Sequence, residues 1–188
     1  IFIDLTNGGE ADHNSFNKIT MTNCKNAISI EGSGVFNHNT FNEITFNNFE
    51  VAIDFSNSTN AKLEGNVFTN IHANASANSL CIIKGIRGAN NTFQNIEYTN
   101  WPSIERKVIT VVPSDLIDSQ RTERNVIKNV TGDFASGIVT TPTTTMIENP
   151  LQTTTGAIYR TGTVIENTTN SDDSTNFNYN NTMYALYN

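Results

Sequence analysis

The residues best suited to chemistry are concentrated in one stretch of the chain. Between Ser103 and Lys128 nine of 26 residues are charged: Glu105, Arg106, Lys107, Asp115, Asp118, Arg121, Glu123, Arg124 and Lys128. That is about twice the density of the whole chain, in which charged residues make up 15%. Asp115 and Asp118 form a carboxylate pair of the kind that acid/base work on a sugar, or a Ca²⁺ ion, would require. Arg106, Arg121 and Arg124 complete a candidate binding set around them. Trp101, the only tryptophan, stands just before this stretch. An aromatic face there could stack on a sugar ring, or it could pack over the side of the fold or at a subunit contact. For the charged stretch itself, the alternative is a solvated loop or a subunit contact laced with ion pairs. No catalytic residue is assigned beyond Asp115 and Asp118 as candidates, and no metal site or cofactor is assigned.

What must position these residues is a repeat. Asn14-Ser15-Phe16-Asn17-Lys18-Ile19 returns as Asn39-Thr40-Phe41-Asn42-Glu43-Ile44, then as Asn66-Val67-Phe68-Thr69-Asn70-Ile71 and Asn91-Thr92-Phe93-Gln94-Asn95-Ile96. A looser copy begins at Asn125 and a faint sixth at Thr163, and the first four steps are 25, 27, 25 and 34 residues. Each copy is followed by a second alternating, β-branched segment: Ala27–Ile30, Ala52–Phe55, Leu80–Ile83, Val108–Val111 and Gly137–Thr140. Alternation of this kind reads as strand, and the Asn, Gly and Ser between segments read as turns. A leucine-rich repeat has a similar period, but it wants Leu in the core and often a helix. This chain has 6 Leu, against 30 Asn and 26 Thr, and no credible amphipathic helix. A parallel β-helix fits. Phe16, Phe41, Phe68 and Phe93 would then stack inside, as would Ile19, Ile44, Ile71 and Ile96. Asn14, Asn39, Asn66 and Asn91 would pass hydrogen bonds from turn to turn at the strand spacing of about 4.8 Å. The expected fold is all-β: a right-handed parallel β-helix of about five to six turns over residues 1–140. Residues 141–188 are expected to form a Thr/Asn-rich extension that caps the rod or drives oligomerisation.

Through the Asn-x-Phe-x-x-Ile repeats of roughly residues 10–140, the chain resembles the pectin-lyase-like right-handed β-helices. That superfamily includes polysaccharide lyases, polygalacturonase-type hydrolases, alginate epimerases, bacterial adhesins and phage tailspikes and fibres. The polygalacturonase-like enzymes carry Asn-Thr-Asp, Asp-Asp, Gly-His-Gly and Arg-Ile-Lys segments. Here only Asp172-Asp173 is found, in a polar tail. The Asp-Pro-His segment of the epimerases and the Arg-x-Pro-x-x-Arg pattern of the pectate lyases are also absent.

Charge narrows the partners. The net charge is −7 and the pI about 4.8, so a phosphate backbone would meet repulsion and nucleic-acid binding is not expected. No apolar run approaches the roughly 18 residues of a membrane span. The chain begins Ile1-Phe2-Ile3 without Met, as expected of a processed product or one part of a longer chain. His13 and His38 occupy equivalent places in consecutive copies and are expected to form a surface ladder, since neither a third ligand nor a nearby carboxylate accompanies them. Asp54 is expected to face solvent, because alternation turns Ile53 and Phe55 inward. Cys24 and Cys81 lack metal-ligand spacing and read as two buried thiols.

Together these features point to a non-catalytic structural and glycan-recognition module, extracellular or on a virion surface. Among the proteins of its resemblance it is most like a tail-fibre or tailspike segment. A homo-oligomer is expected, a trimer by the same resemblance, with a cell-surface polysaccharide as ligand. The alternatives are a polysaccharide lyase, hydrolase or epimerase, and a bacterial surface adhesin.

Overall fold

The structure is a computed structural model that describes residues 1–58, 61–102, 108–111, 123–132, 138–140 and 162–166. The described residues are mostly strand, and the two longest strands run through corners without a break. The strands are β1 (Phe2–Leu5), β2 (Glu10–Asp12), β3 (Ser15–Gly32), β4 (Val35–Asn37), β5 (Thr40–Asp54), β6 (Lys62–Glu64) and β7 (Val67–Asn74). Then follow β8 (Cys81–Ile86), β9 (Thr92–Thr99), β10 (Ile109–Val111), β11 (Glu123–Gly132), β12 (Ile138–Thr140) and β13 (Gly162–Glu166). Every pairing among the described strands is parallel. The chain coils into a β-solenoid of about four turns, fewer than the five to six expected from the repeat. The difference lies at the C-terminal end. There the fifth and sixth copies contribute β11, β12 and β13 as rungs, while the segments that would close those turns fall outside the described residues. The expected boundary at residue 140 also lies there.

The repeat in the sequence is the stack in space. Phe16 pairs with Phe41, Phe41 with Phe68 and Phe68 with Phe93 in strict register. Their rings lie nearly parallel, with centroids 4.4, 4.6 and 5.1 Å apart. Phe41 is fully buried between its two neighbours. Ile44, Ile71 and Ile96 form the aliphatic column beside them, and Ile28, Ile53, Ile83 and Ile109 share a register on the second face. A parallel stack forces each side chain onto its equivalent one turn away, so like residues in consecutive turns pack on like.

Corners are made by residues with positive φ. Lys18, Glu43, Asn70, Asn95 and Asn129, one per turn, hold φ between 53° and 56° and bend the strand between the Phe and Ile columns. A second corner is set by Asn23, Asn48 and Asn100, and a third by His13, His38, Gly65 and Asn90. Asn tolerates this left-handed region better than most residues, which accounts for much of the composition. Close approach also matters at one turn. A Cβ on Gly34 would lie 1.8 Å from the carbonyl oxygen of Gly9, so only glycine lets these two turns stack.

Just inside the third corner runs the asparagine ladder expected from the sequence. The Nδ2 of Asn14 donates to Oδ1 of Asn39 (2.9 Å), Asn39 to Asn66 (3.1 Å), Asn66 to Asn91 (2.9 Å) and Asn91 to Asn125 (3.1 Å). Each Oδ1 also accepts from the backbone N–H of the preceding asparagine in the ladder, at 2.9–3.0 Å. The second Nδ2 proton goes to a carbonyl of the preceding turn: Asn39 to Ala11, Asn66 to Phe36, Asn91 to Leu63 and Asn125 to Gly88. Thus these buried amides are satisfied, which is the condition for placing so polar a group inside.

Candidate functional site

Most of the residues singled out from the sequence lie outside the described structure. Arg106, Asp115, Asp118 and Arg121 lie outside the described residues, and Arg124 is placed only as a member of β11. Trp101 is described. Its ring is 1% exposed and packs edge-on against Tyr98, with centroids 5.8 Å apart. The reason is positional. Trp101 follows the corner at Asn100 as Phe49 follows the corner at Asn48 and Cys24 the corner at Asn23. The residue after this corner turns inward, and Phe49 is likewise buried. A sugar ring would have to reach Trp101 from solvent, and its side chain is buried; it belongs to the hydrophobic core of the solenoid, a place that none of the three roles expected for it described. The Asn-aromatic pairs Asn48-Phe49 and Asn100-Trp101 were the available signal.

The described surface concentrates polar groups elsewhere. A groove of about 510 Å³ crosses the sheet that contains the second strand segments. Turn by turn its lining runs Lys25 and Asn26, then Glu50, Asp54 and Asn57, then Leu80 and Lys84, and finally Thr110. Four successive turns contribute, so at about 4.8 Å per turn the groove extends roughly 14 Å along the axis. A smaller depression of about 220 Å³ shares Lys25 and Glu50 with it and reaches back to Asn23 and Asn48.

Asp54 is the organising residue, and its environment corrects the expectation that it would be solvated. It does sit between the inward-facing Ile53 and Phe55, yet it is only 4% exposed. Its Oδ1 accepts the backbone N–H of Ser56 at 2.8 Å and the Ser56 hydroxyl. This side-chain turn ends β5 and folds the following residues over the carboxylate. On the other oxygen, Oδ2, Asn26 Nδ2 donates from the turn before at 3.4 Å, and Lys84 Nζ stands 3.9 Å away in the turn after. The register explains the meeting, since Ser29, Asp54 and Lys84 are stacked partners on three consecutive turns. A buried carboxylate is costly without partners; here donors from its own turn, the turn before and the turn after hold it in place.

Around this fixed centre the groove offers two cations, Lys25 and Lys84, and two anions, Glu50 and Asp54. It is charge-balanced on a chain of net charge −7. Leu80 adds an apolar patch and is one of the large hydrophobic side chains left exposed, at 45%. The thiol of Cys81 lies at the base, with its Sγ 3.0 Å from the Ile83 carbonyl oxygen and 3.3 Å from that of Val108. Burial pushes this thiol up to about 12, so it stays protonated and is no nucleophile at neutral pH. Cys24 is only half-buried, packed against the edge of the core, and neither cysteine is in a disulfide, so one of the two expected buried thiols is only partly covered.

The histidines form the ladder that the sequence predicts. His13 and His38 stack with ring centroids 4.9 Å apart and an interplanar angle of 20°. Contrary to the expectation, a carboxylate does accompany them: Asp12, the residue just before His13, lies against both rings. His72 stands apart and faces Glu97 at 3.2 Å.

The fold and the groove define a class: a parallel β-solenoid with a polar lateral cleft. No protein-family model, curated protein or solved structure matches the chain. No helix among the described residues is long and apolar enough to cross a membrane.

Proposed function

We propose that this chain is a non-catalytic structural and recognition module that binds a glycan along the groove around Asp54. The observation that carries this reading is the groove itself: one continuous polar surface built by four turns, about as long as a short oligosaccharide. Hydroxyl groups need donors and acceptors at fixed places. Asn26, Asn57, Lys25, Lys84 and Glu50 offer both kinds, and Asp54 is held in place beneath them. Leu80 gives the C–H face of a sugar ring an apolar place to rest. The charge balance of the cleft favours a neutral glycan over a polyanionic one.

The solenoid's stiff interior suits a shaft, and the Asn-x-Phe-x-x-Ile repeats resemble the pectin-lyase-like β-helices, among them phage fibres and tailspikes. On that resemblance we place the chain on a virion or other extracellular surface, as a segment of a homo-oligomeric fibre. A bacterial adhesin would use the same groove in the same way. Cleavage of a glycosidic bond would instead require acid and base groups set against it. Asp54 is already committed to Ser56, Asn26 and Lys84, which favours binding over turnover.

The test is to apply the chain to a glycan array and assay the retained polysaccharides for new reducing ends and unsaturated products. Retention without products, weakened at least tenfold by Lys84→Ala, is expected. Turnover that disappears in Asp115→Asn or Asp118→Asn would replace this reading with the enzyme.

A further inference from the structure

The histidine ladder carries an inference that does not depend on glycan binding. We propose that Asp12, His13 and His38 form a binding site for a divalent zinc-type cation that clips the first two turns of the solenoid together.

Three observations support it. The ligand atoms of the three side chains lie within 4.8 Å of one another. Oδ1 of Asp12 is 3.1 Å from Nδ1 of His13 and 3.4 Å from Nδ1 of His38. A tetrahedral ion with metal–ligand bonds of about 2.0–2.1 Å sets its ligands about 3.3 Å apart, so two edges of such a site already exist. The third edge, no longer than 4.8 Å, needs only a small rotation of the imidazoles, whose side chains are 73% and 53% exposed.

Second, Asp12 Oδ1 is shut off from solvent and accepts no hydrogen bond, although two ring nitrogens stand beside it. A buried carboxylate oxygen without a donor needs an explanation. A cation between it and the two nitrogens supplies one, because it would accept electron pairs from all three.

Third, backbone conformation does not call for histidine here. His13 and His38 hold φ of 54° and 53°, at the corner that Gly65 and Asn90 occupy in the next two turns. Gly or Asn meets that conformation at least as well. Gly65 also gives the His38 ring its seat, since a Cβ there would come within 2.8 Å of His38 Cδ2. The backbone hydrogen bonds from His13 to Asn37 and from His38 to Glu64 fix the heights of the two rings.

Two imidazole nitrogens and one carboxylate are a ligand set for Zn²⁺, or for Co²⁺ as its spectroscopic substitute, rather than for Ca²⁺ or Mg²⁺, which take oxygen. Water would complete the coordination.

The experiment titrates Zn²⁺ into the full chain by calorimetry and repeats the titration with Co²⁺ by visible absorption. Expected are one saturable site per chain, a tetrahedral Co²⁺ spectrum, and movement of the His13 and His38 ring nitrogen resonances. His13→Asn, His38→Asn and Asp12→Asn should each weaken binding at least tenfold. Asn is chosen for the histidines because Asn90 shows that it fits this corner, so the fold is kept. His72→Ala should leave binding unchanged. Absence of saturable binding would overturn the proposal, as would a site that survives His13→Asn and His38→Asn together or one that is lost in His72→Ala.

Discussion

Asn39, Asn66 and Asn91 stand three or four residues before Asn42, Asn70 and Asn95 on the same three turns, and both sets form ladders along the axis. Outside, Asn42 donates to Asn17 at 3.1 Å, Asn70 to Asn42 at 2.8 Å and Asn95 to Asn70 at 3.1 Å. Inside, the spacing and the bond lengths are much the same. Yet the inner residues are 0–3% exposed and also bind backbone carbonyls, whereas the outer ones face solvent to varying degrees. The same amide-to-amide bond is therefore worth different amounts in the two ladders, of which the inner keeps one register while the outer steps by a residue between Asn42 and Asn70. Water competes for every bond of the outer ladder, while the inner one has no other partner if a bond is lost. The inner stacks make the rod stiff, and the outer ladder mainly decorates a corner.

The largest expected effect sharpens this contrast on its apolar side. Phe41→Ala removes a fully buried ring between two others and should cost roughly 3–5 kcal/mol in chemical denaturation. Next comes Asn66→Ala, which strips partners from the backbone N–H of Asn39, the amide of Asn39 and the carbonyl of Phe36. Leaving buried groups unpaired should cost about 2–4 kcal/mol. Equal losses from Asn66→Ala and Asn42→Ala would break the comparison.

The two cysteines give a smaller, pH-dependent version of it. Burial raises the Cys81 thiol from an ordinary 9.0 to about 12, so the unfolded chain loses this proton before the folded one does. Its contribution to stability is fully present below pH 9 and is lost as pH rises toward 12. Unfolding of the parent chain and of Cys81→Ala, followed from pH 8 to 11, should show the difference. A disulfide-exchange reagent should label Cys24 in the native protein and reach Cys81 only on unfolding. The smallest effect is expected from Asn42→Ala, within about 0.5 kcal/mol of the parent, as for most surface positions.

Much of this was legible in the sequence for one physical reason. In a parallel solenoid each residue packs on its counterpart one turn away, so a linear repeat of Phe, Ile and Asn is also a list of contacts. The columns at Phe41, Ile44 and Asn39 could be named before any coordinates. What repeats could not show is how unlike residues meet across turns. Asp54 reaches Lys84 through the register of β5 with β8, and it is buried among Ser56, Asn26 and Lys84 from three successive turns. The chemistry of Trp101 leaves sugar contact, packing and a subunit contact all open, while its place after a corner sends it inside. Asp12 meets His38 only because β2 stacks on β4 with Asp12 over Asn37, a meeting that the repeat does not spell out. The charged residues from Arg106 to Arg121 lie outside the described structure, so the groove rests on other side chains.

The central claim is that a glycan lies in the groove and nowhere along the outer ladder. A backbone amide spectrum of the ¹⁵N-labelled full chain, titrated with an oligosaccharide retained on the array, tests it most directly. The account predicts saturable shifts at Asn26, Glu50, Asn57, Leu80 and Lys84, with Asn42, Asn70 and Asn95 unmoved. Shifts confined to the outer ladder, or saturable binding that leaves the groove amides in place, would contradict it.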